Sequence, residues 1–176
     1  MILTTAVGRA PASDLTGAGW GGMVRGNMDA VRIIEAGPSH VEEIVPLFLG
    51  YLEFYRQTAQ PDTARTFLRE RLERDESKIF LAMLKDEAVG FVQLYPTFAS
   101  LAMKRSWVLY DLFVKPSARK RGVAKALMER AKRLAIETAA EGLVLETATD
   151  NLPAQRLYEQ LGWTRDDAFY RYFRKV

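Results

Sequence analysis

Val114-Lys115-Pro116-Ser117-Ala118-Arg119-Lys120-Arg121-Gly122-Val123-Ala124-Lys125 decides how this chain is read. An apolar run ends at Val114, Lys115-Pro116-Ser117 closes it, and a helical pattern opens near Gly122. The first N–H groups of a helix have no internal partner, and the helix dipole places about half a positive charge there, so main chain alone can hold a diphosphate. Gly122 and Ala124 keep the approach free of bulk, and Arg119, Lys120, Arg121 and Lys125 attract an anion. A Walker loop would end in Gly-Lys-Ser/Thr, whereas Val123 and Ala124 follow Gly122 here; a dinucleotide fingerprint would need two more glycines. A plain turn into a basic surface helix remains an alternative at this point.

Working outward, Trp107 to Val114 is a two-sided apolar strand that belongs in the middle of a sheet. Strict alternation predicts Trp107, Leu109, Asp111 and Phe113 on one face and Val108, Tyr110, Leu112 and Val114 on the other. After Gly122, the residues Val123, Leu127, Ala131, Leu134 and Ala135 form an apolar stripe, and Gly142 is expected to stop the helix. Leu143 to Glu146 reads as a buried strand. Asp150-Asn151 caps a short helix with Pro153 in its first turn, Gly162 ends it, and Phe169 to Arg174 is expected to form a last, aromatic strand.

Upstream, Ile79–Leu84 and Val89–Tyr95 read as a hairpin, with Pro96 closing its second strand. Val31 to Glu35 is a short strand. Ser39 with Glu42 forms a candidate capping box for a helix that begins at His40 and is bent or shortened by Pro46. A second helix follows Pro61-Asp62, with Phe67, Leu68 and Leu72 inward. The order is strand, two helices, three strands, helix, strand, helix and one or two strands, an α/β chain with a mixed sheet. Residues 1 to 27, rich in Gly, Ala, Ser and Thr, are expected to be a flexible tail, with the domain running from Met28 to Val176.

A length of 176 residues, 48% of them hydrophobic, suits one substantial core. With no cysteine and one histidine, disulfides, thiolate catalysis and ordinary zinc sites are not expected, and no structural metal is predicted. No apolar stretch approaches the roughly 20 residues that span a bilayer. No secretory signal is legible, which makes the cytoplasm the default compartment. A net charge of +3 spread along the chain suits an anionic cofactor better than nucleic acid. His40, in a first helical turn, reads as a surface residue.

Arg119-Lys-Arg-Gly122-Val-Ala124 resembles the Q/R-x-x-G-x-G/A signature of GCN5-related N-acetyltransferases. Asp111-Leu-Phe-Val114 is similar to the strand preceding that signature. Asp150-Asn151-x-Pro153-Ala154-x-x-Leu157-Tyr158-Glu-x-x-Gly162-Trp163 resembles the family's N-x-x-A-x-x-x-Y-x-x-x-G-F/W segment. The resemblance implies the acyl-CoA N-acyltransferase fold, acetyl-CoA as cosubstrate, a small-molecule amine such as an amino acid or polyamine as acceptor, and a homodimer, relatives being commonly dimeric. It implies that backbone groups of Leu112, Phe113 and Val114 pair with the pantetheine arm, that the N–H groups of Lys120, Arg121, Gly122, Val123, Ala124 and Lys125 hold the diphosphate, and that Tyr158 is the general acid toward the departing thiolate. Asn151 reads first as a helix cap and second as a contact to the arm.

In many relatives a carboxylate near the middle of the strand before the signature takes the amine proton; here Tyr110 precedes Asp111. With Asp111 expected on the opposite face from Tyr110, the candidate bases are Glu146 and Glu53, or a water chain. The acceptor pocket is expected among Tyr51, Glu53, Tyr55, Tyr110, Tyr170 and Tyr172, where an acidic residue with aromatic walls would suit an ammonium group. A peptide acceptor, a non-catalytic acyl-CoA-binding protein and, last, a nucleic-acid-binding module are the competing readings.

Overall fold

The computed structural model describes residues 30–176; the tail expected over residues 1 to 27 and the boundary at Met28 lie outside the described residues. Packing divides the chain between Val144 and Leu145 into two compact units. The sheet runs in the order β1 (Arg32–Ala36), β2 (Lys78–Leu84), β3 (Glu87–Ala99), β4 (Lys104–Val114), β5 (Leu143–Leu145). Strands β1 to β4 are antiparallel in succession, the arrangement that short connections favour.

Helices α1 (Val41–Phe54) and α2 (Pro61–Glu73) cover one face, and α3 (Val123–Glu137) covers the other. The first layer is built from Val41, Ile44, Val45 and Leu47 of α1 and Leu68 of α2, packed on Ile79, Leu81 and Phe91. Val123, Leu127, Ala131, Leu134 and Ala135 are buried as their spacing predicts, together with Met128. Among the described residues no helix is long and apolar enough to cross a membrane.

Four local expectations are corrected. Helix α1 runs unbroken through Pro46, which is exposed there. Ser39 and Glu42 form no capping box: the Gly37 N–H donates to Nδ1 of His40 at 3.1 Å, while Glu42 turns to Arg65 of α2, whose Nε donates to it at 2.9 Å. Pro96 lies inside β3, opposite Trp107 of β4. The β2 ladder ends at the Lys78–Leu94 pair, so among the described residues one edge of β3 is already open at Pro96 and its missing N–H is tolerated. Helix α3 ends at Glu137, not at Gly142: the Thr138 hydroxyl donates back to the Leu134 carbonyl at 2.7 Å, a side-chain bond that competes with further helical turns.

Gly90 allows β3 and β4 to approach closely. A Cβ there would lie 2.8 Å from the Phe113 carbonyl oxygen, which is main chain and cannot swing aside. Gly90→Ala is therefore expected to destabilise the protein by about 1–3 kcal/mol through overpacking, measured as a lowered urea midpoint at unchanged m-value. An unchanged midpoint would refute the close packing of these strands.

The second unit, Leu145–Val176, carries α4 (Leu152–Gln160). Gly162, at φ +82°, closes it with two bonds: its own N–H to the Glu159 carbonyl and the Trp163 N–H to the Tyr158 carbonyl, both 3.0 Å. The strand expected over Phe169 to Arg174 is not formed. Clustered aromatics supply only a preference, and with no ladder partner among the described residues Tyr170 and Tyr172 stand 89% exposed.

Candidate active site

Strand β4 does not alternate strictly. Asp111 is opposite Gln93 and Leu109 is opposite Leu94, which leaves Tyr110 as an extra residue, a β-bulge. The bulge resets the faces. The Trp107 indole N–H donates to the Thr138 hydroxyl at 2.9 Å at the end of α3, which places Trp107 and Leu109 on the α3 side. Tyr110 instead stacks edge-on with Tyr95 at 5.6 Å, Asp111 meets Tyr51 of α1, and Phe113 packs under Gly50 of α1. The expectation that Asp111 and Tyr110 point to opposite faces is thus corrected: both face α1 and α2.

Asp111 is only 6% exposed, and burial raises its carboxyl from the ordinary 3.8 to about 6, against the opposing hydrogen bond from the Tyr51 hydroxyl. The Tyr51 phenol is pushed up by its own burial and then by the Asp111 charge, and Tyr55 shifts the same way for the same reasons. Tyr95, half-buried and near Asp111, is raised to about 12 by burial first and the Asp111 charge second. At neutral pH the result is an ionised carboxylate of raised basicity surrounded by neutral phenols. Beside it, Nε2 of the fully buried Gln93 donates to the Ser77 hydroxyl at 2.9 Å, while Oε1 of Gln93 has no partner among the described residues.

The other end of β4 leads into the basic loop. Pro116–Ala118 forms one 3-10 turn, and Nε of Arg119 donates to the Val114 carbonyl at 3.1 Å, so Arg119 fastens the loop to the strand end. Lys120 and Gly122 both adopt positive φ, +60° and +78°. A Cβ at Gly122 would meet nothing within 4 Å, so backbone conformation, not space, makes glycine suitable there. Gly122 is the N-cap of α3 and brings no capping side chain, and no acidic residue stands in the first turn. The first intrahelical bond, from the Ala126 N–H to the Gly122 carbonyl, leaves the amides of Val123, Ala124 and Lys125 without a helical partner. An uncapped N-terminus beside exposed Lys120, Arg121 and Lys125 fits a diphosphate.

The Acetyltransferase (GNAT) family model matches residues 41–163. The chain belongs to the GNAT family of acetyltransferases. It is 44% identical over 142 residues to an uncharacterised N-acetyltransferase, YhfO, of Bacillus subtilis, covering 81% of this chain and 95% of that one. A probable acetyltransferase of Haemophilus influenzae is 32% identical, over 73% of this chain and 97% of its own. The crystal structure of a probable acetyltransferase superposes with a TM-score of 0.78 at 41% identity, covering 82% of this chain and 97% of that one. An aminoglycoside N-acetyltransferase, AAC(6')-Iy, in complex with CoA shares the fold at a TM-score of 0.72 and 22% identity, over 88% of this chain and 100% of its own.

The remaining GNAT motif residues and the two glutamates expected as bases fall as follows. Leu112 and Phe113 are half-buried on β4 and Val114 is buried at its end. Glu53 is exposed on α1. In the second unit, Glu146 is exposed and ion-paired with Arg171. Asn151 precedes α4 but does not cap it through its side chain, whose Nδ2 donates to the Thr147 hydroxyl at 3.2 Å. Tyr158 is half-buried on α4, its ring 6.2 Å from that of Trp163. Asp111 is the functional candidate that strict alternation conceals; the legible signal was a lone charge in an otherwise apolar strand. Among the described residues no group of acids and histidines is gathered to hold a metal.

Proposed function

We propose that this acetyltransferase moves the acetyl group of acetyl-CoA to a primary amine of a small molecule, by direct attack within a ternary complex, with Asp111 as the proton acceptor. The observation that carries this reading is the buried Asp111 carboxylate beside the β4 bulge, at the opposite end of the half-strand from the uncapped start of α3. Acetyl-CoA supplies the thioester carbonyl that the amine attacks. The Val123, Ala124 and Lys125 amides hold its diphosphate, and the main chain of Leu112 to Val114 aligns its arm.

An amine with a pKa near 10 arrives protonated, so its proton must be removed before or during attack. Asp111, ionised above about pH 6, accepts it, and the neutral acid that results is the form burial favours. Tyr158, by its place in the motif, donates a proton or hydrogen bond to the departing sulfur. The products are an N-acetyl amide and free CoA thiol.

The test is thiol release from acetyl-CoA with a panel of amino acids, polyamines, aminoglycosides and short peptides. Amine-dependent release with small acceptors is expected. Release with peptides alone would overturn the small-molecule reading, and silence across the panel with acetyl-CoA binding intact would overturn catalysis.

A further inference from the structure

Gly50 stands inside α1, where glycine is a poor helix former. The reason for it lies on the sheet. A Cβ at Gly50 would be 2.9 Å from Cζ of Phe113 and 3.1 Å from its Cε1, so a side chain there would hold α1 off β4. Gly50 is next to Tyr51, and Phe113 is two residues beyond Asp111, on the same face of β4. The close approach of Gly50 to Phe113 thereby brings the Tyr51 hydroxyl to the Asp111 carboxylate, to which it donates a hydrogen bond. Three rings fix the phenol in place: Phe48 stacks on it at 6.2 Å, Phe91 of β3 meets it edge-on at 6.2 Å, and Tyr55 meets it edge-on at 5.1 Å.

We propose that Tyr51 is a positioning residue of the reaction: its hydroxyl holds the Asp111 carboxylate in the orientation that meets the incoming amine, and Gly50 keeps α1 close enough for it to do so. This rests on Asp111 being the proton acceptor, as proposed above. An ionised carboxylate offers only acceptors, and the phenol gives it one donor, which leaves the other lone pairs for the proton. In a buried site a single fixed donor offsets part of the cost of removing the charge from water and selects one side-chain orientation. The other titratable groups around Asp111 act differently. Tyr55 of α1 and Tyr95 of β3 feel its charge without bonding to it, Tyr110 adjoins it on β4, and Arg71 and Glu76, near Tyr95, are paired with each other. Gln93, opposite Asp111 on β3, carries no charge.

Tyr51→Phe keeps the ring contacts and removes the donor. A hydrogen bond to the charged form favours that form, and this one opposes the effect of burial, so its loss moves the Asp111 titration further upward from about 6. Two readouts follow the change: the carbon-13 shift of the Asp111 carboxyl in the acceptor-free protein, and the acidic limb of kcat/KM for the amine. Both are expected to rise by about one pH unit, so that kcat/KM measured on the acidic side of the limb falls by about tenfold. Gly50→Ala leaves every hydroxyl in place and is expected to move both in the same direction by less. A carboxyl titration that Tyr51→Phe leaves near 6 overturns the positioning role, whatever the rate does. Movement in Tyr51→Phe with none in Gly50→Ala overturns the part given to Gly50. A carboxyl titration that rises while the kinetic limb stays in place removes Asp111 as the proton acceptor, and the part of Tyr51 in the reaction with it.

Discussion

Asp111→Asn is expected to lower kcat/KM for the acceptor amine by about 10²–10⁴-fold while acetyl-CoA binding persists. The amide matches the carboxylate in shape but cannot accept the proton. In the parent enzyme the acidic limb of kcat/KM should turn near pH 6, where the carboxyl titrates, and that limb should vanish from the residual activity of the variant. The same substitution should increase stability. Burial raises the folded-state pKa of Asp111 from 3.8 to about 6, so the folded protein binds more protons than the unfolded chain between those values. Stability therefore declines as pH rises from about 4 to about 6 and is flat above; a displacement of that size corresponds to about 3 kcal/mol at most. Denaturation at pH 7.5 should find the Asn variant more stable, with the advantage lost below pH 4. A variant that keeps full activity, or is less stable at pH 7.5 and more stable at pH 4, would remove Asp111 from the proton-accepting role.

Tyr158→Phe is expected to lower kcat by about a hundredfold with little change in KM for the amine. The phenyl ring preserves packing against Trp163 at 6.2 Å, so the substitution removes the hydroxyl and leaves the ring contact in place. Protonation of sulfur matters most when the thiolate is a poor leaving group. A thioester of a more acidic thiol should therefore recover part of the lost rate. Unchanged turnover on every acceptor would make Tyr158 a packing residue and leave the departing thiolate to another donor.

Much of this was legible from periodicity and punctuation. The stripe from Val123 to Ala135 and the glycine at Gly122 dictate a helix with an open N-terminus, and the structure places both where the spacing puts them. Gly162 likewise closes α4 with the left-handed turn that glycine favours. What periodicity could not supply is a break in its own rule. One extra residue at Tyr110 turns Asp111 from the α3 face to the α1 face, and no local residue preference marks a bulge in Trp-Val-Leu-Tyr-Asp-Leu-Phe-Val. Pro96 misled for a related reason. Whether a proline ends a strand depends on whether a neighbour needs its N–H, and that is decided by where β2, a different stretch of sequence, comes to its end.

The open edge at Pro96 also bears on how molecules of this enzyme meet one another. Beyond Leu94 the β3–β4 hairpin projects past its neighbour and ends in a tip where Phe98, Leu101 and Met103 are 66–89% exposed. An unpaired strand edge next to exposed apolar side chains is a template for adding a foreign strand and for aggregation. Pro96 withholds one donor from that edge at its first step. The imide that looked in the sequence like a stop signal thus serves as a guard on colloidal stability, letting the arm extend while making it a poorer seed for intermolecular sheet growth.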